Sequence, residues 1–385
     1  MFRITARTVL ELGSELISSD IIAFYELIKN AFDAGSKTGV DVSWRVVLRR
    51  NAYLKIRAQA VESAAGGRKQ GIQTSLLQEL KIQVEQQCDP TAGPDAIESF
   101  FSRISPASTL DEFVKNLDQA YVDLNMIEIA DTGSGMSAKE LTKNYLTIGT
   151  ASRKREILGT IAKGGSRTPF LGEKGIGRLS AMRLGDRLYV ETARAEDKYM
   201  NVLDLDWSRF ADLDAMVEDI LVEPEQGEKK KLPSWSGTRL TIANLTEDWT
   251  EKRVRQLAEY EFARLTDPFL DPKDRSRIAL YWNGNRVAIP WMDRTLTDNA
   301  HATFEGEYLI DAAGPQLKVR MEPLLHLYGA CRCRAGGMIA TAERNQAGVF
   351  YQDSLANADN REFLRCNEVI NRPQAKAKHR CGLFL

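Results

Sequence analysis

Long hydrophobic runs are missing from this chain: no stretch of 18 or more apolar residues interrupts its 385 positions, so no membrane-crossing helix and no membrane partner are expected. The opening stretch, MFRITARTVLELGSELISSD, has none of the apolar core of a secretory leader, and the expected address is cytoplasmic. Cysteine is scarce. Five residues, an odd number placed mostly late in the chain, exclude the dense disulfide framework of a small secreted module and predict reduced thiols. The C-x-C at Cys331 and Cys333, with Cys366, Cys381, His326 and His379 near it in sequence, lacks the spacing of a zinc finger, so no zinc is expected. An excess of one charge is absent too: 52 Lys and Arg stand against 53 Asp and Glu, and no global field draws the chain to nucleic acid or an anionic surface. What remains is ordinary globular composition, 43% hydrophobic and 27% charged, at a length that predicts two domains or one large domain with an appendage.

The clearest local signal is YELIKNAFDAGS. Ser18, Ser19 and Asp20 offer N-cap oxygens and Gly35 suits the left-handed residue after a helix, which predicts a helix over about 20–34. Ile21, Phe24, Ile28, Ala31 and Phe32 recur at helical spacing toward a core, leaving Glu26, Asn30 and Asp33 along a neighbouring polar stripe. From 36 to 125 the pattern is mixed: WRVVLRR is strand-like, QTSLLQELKIQVEQQ helical, CDPTAGPDA a turn region and TLDEFVKNLDQAYVDL helical. MIEIADTGSGMS then reads as a strand ending at Asp131, a glycine turn, and a helix capped by Ser137 with Glu140 at its third position. A basic, glycine-rich stretch over 149–175 precedes a helix from about 176 and a strand at 187–193. SGTRLTIANL is a further strand, a charged helix follows Trp249 to about 265, and RIALYWNGNRVAI is a hairpin turned at Asn-Gly or Gly-Asn. A second domain is expected to begin near 246. From about 330 the periodicity is lost, and disorder, a truncated element and an altered reading frame stay open for that tail.

Four stretches carry the chemistry in order: ELIKNAFDA (26–34), DTGSGM (131–136), GEKGIG (172–177) and GTRLTI (237–242). Singly each is punctuation or a wet helix face. None is a P-loop, and GIGRLS puts Ser180 where a dinucleotide fingerprint wants its last Gly or Ala. Together, over about 10–245, the series resembles the GHKL ATPase superfamily of gyrase B subunits, ninety-kilodalton heat-shock chaperones, histidine kinases and MutL. The resemblance implies an α/β fold, the two-layer Bergerat sandwich with a mixed sheet covered by helices on one face, followed here by a smaller α/β domain.

It also implies a site. Glu26 would be the general base that orients the water attacking the γ-phosphate, and Asn30 would give its amide oxygen to Mg²⁺, a cation that takes oxygen ligands and keeps several waters. Asp131 would accept from the adenine amino group. Gly133 and Gly135 would let the backbone approach the base, Met136 would pack below the ring, and Thr238 would join the adenine-side hydrogen bonds. Gly172, Lys174, Gly175, Ile176 and Gly177 would wrap the phosphates at a helix N-terminus, with 149–175 as the lid that closes over ATP.

Histidine kinases begin the helix motif with Asn rather than Glu26 and carry an upstream phosphoacceptor, whereas His301, His326 and His379 all lie downstream. ELIKNAFDA and GIGRLSAMRLGD resemble instead the chaperone, MutL and MORC forms, ATP-hydrolysing clamps that dimerise. The expected function is therefore an Mg²⁺-dependent ATPase working as a conformational switch and a homodimer. Its expected target is DNA or a partner effector such as a nuclease, in the manner of relatives in bacterial anti-phage defence. A non-hydrolysing ATP-sensing module is the alternative, and a protein kinase the third. Two departures from the pattern stand out: the long gap between Asn30 and Asp131 implies an inserted helical element, and no downstream lysine motif identifies the cation that touches the γ-phosphate.

Overall fold

The computed structural model describes residues 4–36, 38–66, 70–145, 177–212, 215–265 and 277–290, and the backbone of four strands between 302 and 382. These fall into two compact units, one holding every described residue up to 290 and the other the four strands. The boundary expected near 246 lies inside the first unit.

That unit opens with α1 (Ala6–Leu16) and α2 (Asp20–Asp33). The boundaries of α2 follow its sequence signals: Ser19 Oγ accepts from the Ile22 N–H at 3.3 Å, and Gly35 takes a φ of 74°. Next come β1 (Val40–Arg45), then α3 (Arg50–Ala65), α4 (Gln70–Gln87), α5 (Pro94–Ile104) and α6 (Leu110–Leu124). After them follow β2 (Met126–Asp131) and a short α7 (Ala138–Glu140), whose Ser137–Glu140 capping box forms as expected. A 3₁₀ turn at Gly177–Ser180 and α8 (Ala181–Leu184) stand where one helix was expected. The strands β3 (Gly185–Ala193), β4 (Tyr199–Asp206), β5 (Glu225–Lys229) and β6 (Gly237–Leu245) come next, then α9 (Glu251–Tyr260). A hairpin of β7 (Ile278–Trp282) and β8 (Asn285–Val287) turns on Asn283 and Gly284, both at positive φ, as an Asn-Gly turn requires.

The strand read into WRVVLRR is displaced: β1 runs over Val40–Arg45, because the N–H groups of Val47 and Leu48 turn away to Asn125 Oδ1, at 2.7 and 3.1 Å. The eight strands form one mixed sheet in the order β5-β4-β3-β6-β2-β1-β7-β8, antiparallel throughout except for β1 beside β7.

Register sorts the sheet into rows. Val42, Ile129, Leu240, Val190 and Leu203 pair in sequence across five strands, and so do Trp44, Ile127, Ile242, Leu188 and Leu205. All ten are buried, in one core with Ala23, Phe24, Leu27, Ile28 and Ala31 of α2 and Val254, Leu257 and Ala258 of α9. Phe24 lies 5.3 Å from Trp44 and 5.7 Å from Trp249, ring centre to ring centre, so aromatic contacts lock α2 to the sheet and to the approach of α9. Each such buried aromatic contributes roughly 1.5–3 kcal/mol by area alone. The opposite face is polar and carries ion pairs between Arg187 and Asp204 (2.8 Å) and between Arg239 and both Glu191 (3.4 Å) and Glu128 (3.6 Å).

Helices α3–α6 fill the long gap as an insertion with a core of its own, including Ile56, Leu80, Val84, Phe100, Phe113 and Leu117, with Tyr53 stacked on Tyr121 at 4.0 Å. In the second unit, β9 (Ala302–Asp311), β10 (Gly314–Pro323), β11 (Ile339–Thr341) and β12 (Lys378–Gly382) form an antiparallel sheet in the order β11-β10-β9-β12. Among the described residues no helix is long and apolar enough to cross a membrane.

Candidate nucleotide site

One row beyond the two apolar rows, two residues along each strand, the same face of the sheet turns polar. Asp131, Thr238, Thr192 and Asn201 pair across β2, β6, β3 and β4. Period-two alternation forces this: Val190 and Thr192, Ile129 and Asp131, Leu240 and Thr238 share a face. Thr192 is fully buried, Thr238 and Asp131 nearly so.

Asp131 Oδ1 accepts the Gly133 N–H at 2.7 Å. Burial is the dominant influence on this carboxyl and raises it to about 6, against the lowering effect of the Gly133 and Thr238 backbone N–H groups. Thr192 Oγ1 contacts Gly237 O at 2.9 Å, Thr238 Oγ1 at 3.0 Å and the Met136 N–H at 2.9 Å. Asn201 Nδ2 donates to Met136 O at 3.0 Å. Met136 is thus held on both sides by its backbone, while its half-buried side chain rests on the main core. Lys230, nearly buried, donates to the carbonyls of Arg194, Ala195 and Trp235 and ties together the two loops beside this strand end.

The glycines of DTGSGM are needed for a reason the sequence did not disclose. A Cβ on Gly133 would strike Ala34, and one on Gly135, at a φ of 65°, would strike the Ala193 carbonyl. The turn's own packing is enough to require glycine at both positions. The same packing joins the turn to α2, since the Ser134 N–H donates to Ala34 O at 2.9 Å.

Asn30 and Glu26 lie one and two turns back along α2 from that junction, about 6 and 12 Å by helical rise. Both are half-buried, and Glu26 Oε1 meets Lys29 Nζ at 3.0 Å. The far end of α2 is fixed by Asp20, a buried carboxylate that accepts from Arg183 of α8 at 3.1 Å and from Arg253 of α9. A carboxylate in the first turn also suits the positive end of the helix dipole. Arg253 in turn lies over Trp249, 4.4 Å from the ring centre. The 3₁₀ turn containing Gly177 packs against α2, which brings the last glycine of GEKGIG to the helix that bears Glu26 and Asn30.

The structure therefore gathers Asp131, Gly133, Gly135, Met136 and Thr238 at one strand end, with Glu26 and Asn30 on the helix docked there. Gly172, Lys174, Gly175, Ile176 and the expected lid lie outside the described residues. Thr192 and Asn201 escaped the sequence reading. The signal for Thr192 was present, a hydroxyl at an inward position of LYVETA, but its meaning depends on register. Among the described residues, no cluster of three or more His, Cys, Asp or Glu side chains could hold a metal ion.

Residues 112–238, a third of the chain, match the family model of the histidine kinase-, DNA gyrase B-, and HSP90-like ATPases. The match runs from within α6 through Asp131 and Thr192 to Thr238, while α2 stands before it, across the insertion. No curated protein matches the chain. This segment is a GHKL-type ATPase domain.

Proposed function

We propose, from the premise that residues 112–238 are a GHKL-type ATPase domain, that the chain binds Mg²⁺-ATP and hydrolyses it as a conformational switch. The observation that carries this reading is the polar row at the end of an otherwise apolar sheet face, abutting the helix that bears Asn30 and Glu26. A base at Asp131 and Thr238 would leave its phosphates directed along α2. Asn30 supplies an amide oxygen of the kind Mg²⁺ accepts alongside phosphate oxygens and water, and a single side-chain ligand suffices for that ion. The bound metal would neutralise charge on the phosphates. Glu26, one turn further on, would orient the attacking water and take its proton. Its ion pair with the half-exposed Lys29 is a weak one, up to about 0.5 kcal/mol, and leaves the carboxylate free to turn to a water.

Differential affinity of ATP for an open and a closed state would supply the bias of the switch. Two protomers would close together on ATP, with 149–175 as the lid. The target would be DNA, as for the MORC and MutL forms that the helix and post-lid motifs resemble, or a partner effector such as a nuclease, as for bacterial relatives in anti-phage defence. Glu26→Ala is expected to keep ATP binding and lose turnover, measured as phosphate release, and Asp131→Ala to lose binding. Equal hydrolysis by the wild type and Glu26→Ala would sink the assignment.

A further inference from the structure

Thr192 does more than fill a place in β3. A threonine hydroxyl has one hydrogen and two lone pairs, and here all three are taken. The Gly237 carbonyl can only accept, so Thr192 donates to it across 2.9 Å. The Met136 N–H can only donate, so Thr192 accepts from it. With its hydrogen spent, the 3.0 Å contact to Thr238 Oγ1 has one direction left: Thr238 donates and Thr192 accepts. Thr192 is fully buried, and no solvent molecule reaches it to offer another arrangement. Thr238, slightly exposed, is left with no hydrogen for anything else and turns only lone pairs outward. Its cross-strand partner Asp131, once ionised, is likewise an acceptor without a hydrogen.

We propose that Thr192 is a positioning residue for base selection: by drawing in the Thr238 proton it makes this end of the sheet acceptor-only, so the site takes a purine with an exocyclic amino group and rejects one with an oxo group in its place. The proposal rests on the adenine-nucleotide reading above. An amino group brings two hydrogens to two waiting acceptors. An oxo group brings only lone pairs, and oxygen would face oxygen with no donor between them, the arrangement by which polar sites discriminate most strongly. Removing the Thr192 hydroxyl frees the Thr238 hydrogen to rotate outward and serve an oxo group.

The test uses the full chain and calorimetric titration with ADP, inosine diphosphate and purine riboside diphosphate, which differ at C6 in carrying an amino group, an oxo group and hydrogen. The wild type is expected to bind the amino ligand best, the C6-unsubstituted one next and the oxo ligand worst, with ADP favoured over inosine diphosphate about 100-fold. Thr192→Ser, which keeps the hydroxyl, should preserve the ratio. Thr192→Val should lower it about tenfold or more, chiefly by improving relative binding of inosine diphosphate. A merely structural role would weaken both ligands equally and leave the ratio untouched, and that result overturns the proposal. So would a wild type that binds inosine diphosphate as well as the C6-unsubstituted ligand, a comparison that holds even if Thr192→Val does not fold. Equal binding of all three ligands removes base selection alone, whereas binding of none removes the nucleotide reading with it.

Discussion

Asp131 concentrates the site's pH dependence in one carboxyl group. Its folded value of about 6 lies above the ordinary carboxyl range because burial disfavours the charge. In the folded chain the proton is therefore held more tightly than in the unfolded one. This group's contribution to stability is fully present below about pH 4 and is lost as pH rises through 6. Binding of an amino-bearing ligand is expected to run the other way, since the ionised carboxylate is the stronger acceptor and brings no hydrogen of its own to meet the amino group. Affinity for ADP should fall about tenfold between pH 7 and pH 5, beyond the ligand's own titration, and Asp131→Asn should abolish that excess. Calorimetry of both proteins across this range checks it, and parallel pH profiles would exclude Asp131 as the acceptor. Asp131 was legible in the sequence because a strand ending in Asp followed by two spaced glycines is a local pattern. Thr192 was not, because what it does depends on Gly237, Thr238 and Met136, brought to it by strand pairing.

At the scale of elements, Asn125 decides where the insertion ends and the sheet resumes. It is fully buried between α6 and β2, accepts from the N–H groups of Val47 and Leu48, and donates to Tyr121 O at 3.0 Å. Asn125→Ala would strand two buried backbone donors, and a loss of about 2–4 kcal/mol in denaturant unfolding is expected, against near-neutral effects for exposed Asn51→Ala. The helices differ in legibility for physical reasons. The signals of α2 sit at its ends, in Ser19 and Gly35, and both act locally. Helix α3 was unread because Leu54, Ala58 and Val61 face solvent while Tyr53, Ile56, Ala60 and Ser63 face the core, so apolar residues lie all round it and no stripe stands out. Helix α5 hid behind Pro94, read as a turn residue though it serves as the first residue of the helix.

For the whole molecule, the insertion occupies the place of a hairpin loop. Arg45 and Met126 are direct partners at the joined ends of β1 and β2, and the helices between them have a core separate from that of the sheet. Replacing residues 46–125 with a two-residue Asn-Gly turn should leave the sheet folded and ADP affinity within about fivefold of the intact chain. Loss of cooperative unfolding in that variant would show that the sheet depends on the insertion. The sheet also imposes an order in time on synthesis. Strand β1 lies in its interior, yet β7, which covers one of its edges, is encoded only at Ile278–Trp282. While the chain emerges, Val40–Arg45 must wait with an open, apolar edge as the helices behind it fold from contacts close in sequence. A ribosome paused before residue 278 would hold a nascent chain whose helical insertion is complete and whose central strand still offers hydrogen bonds to any passing polypeptide.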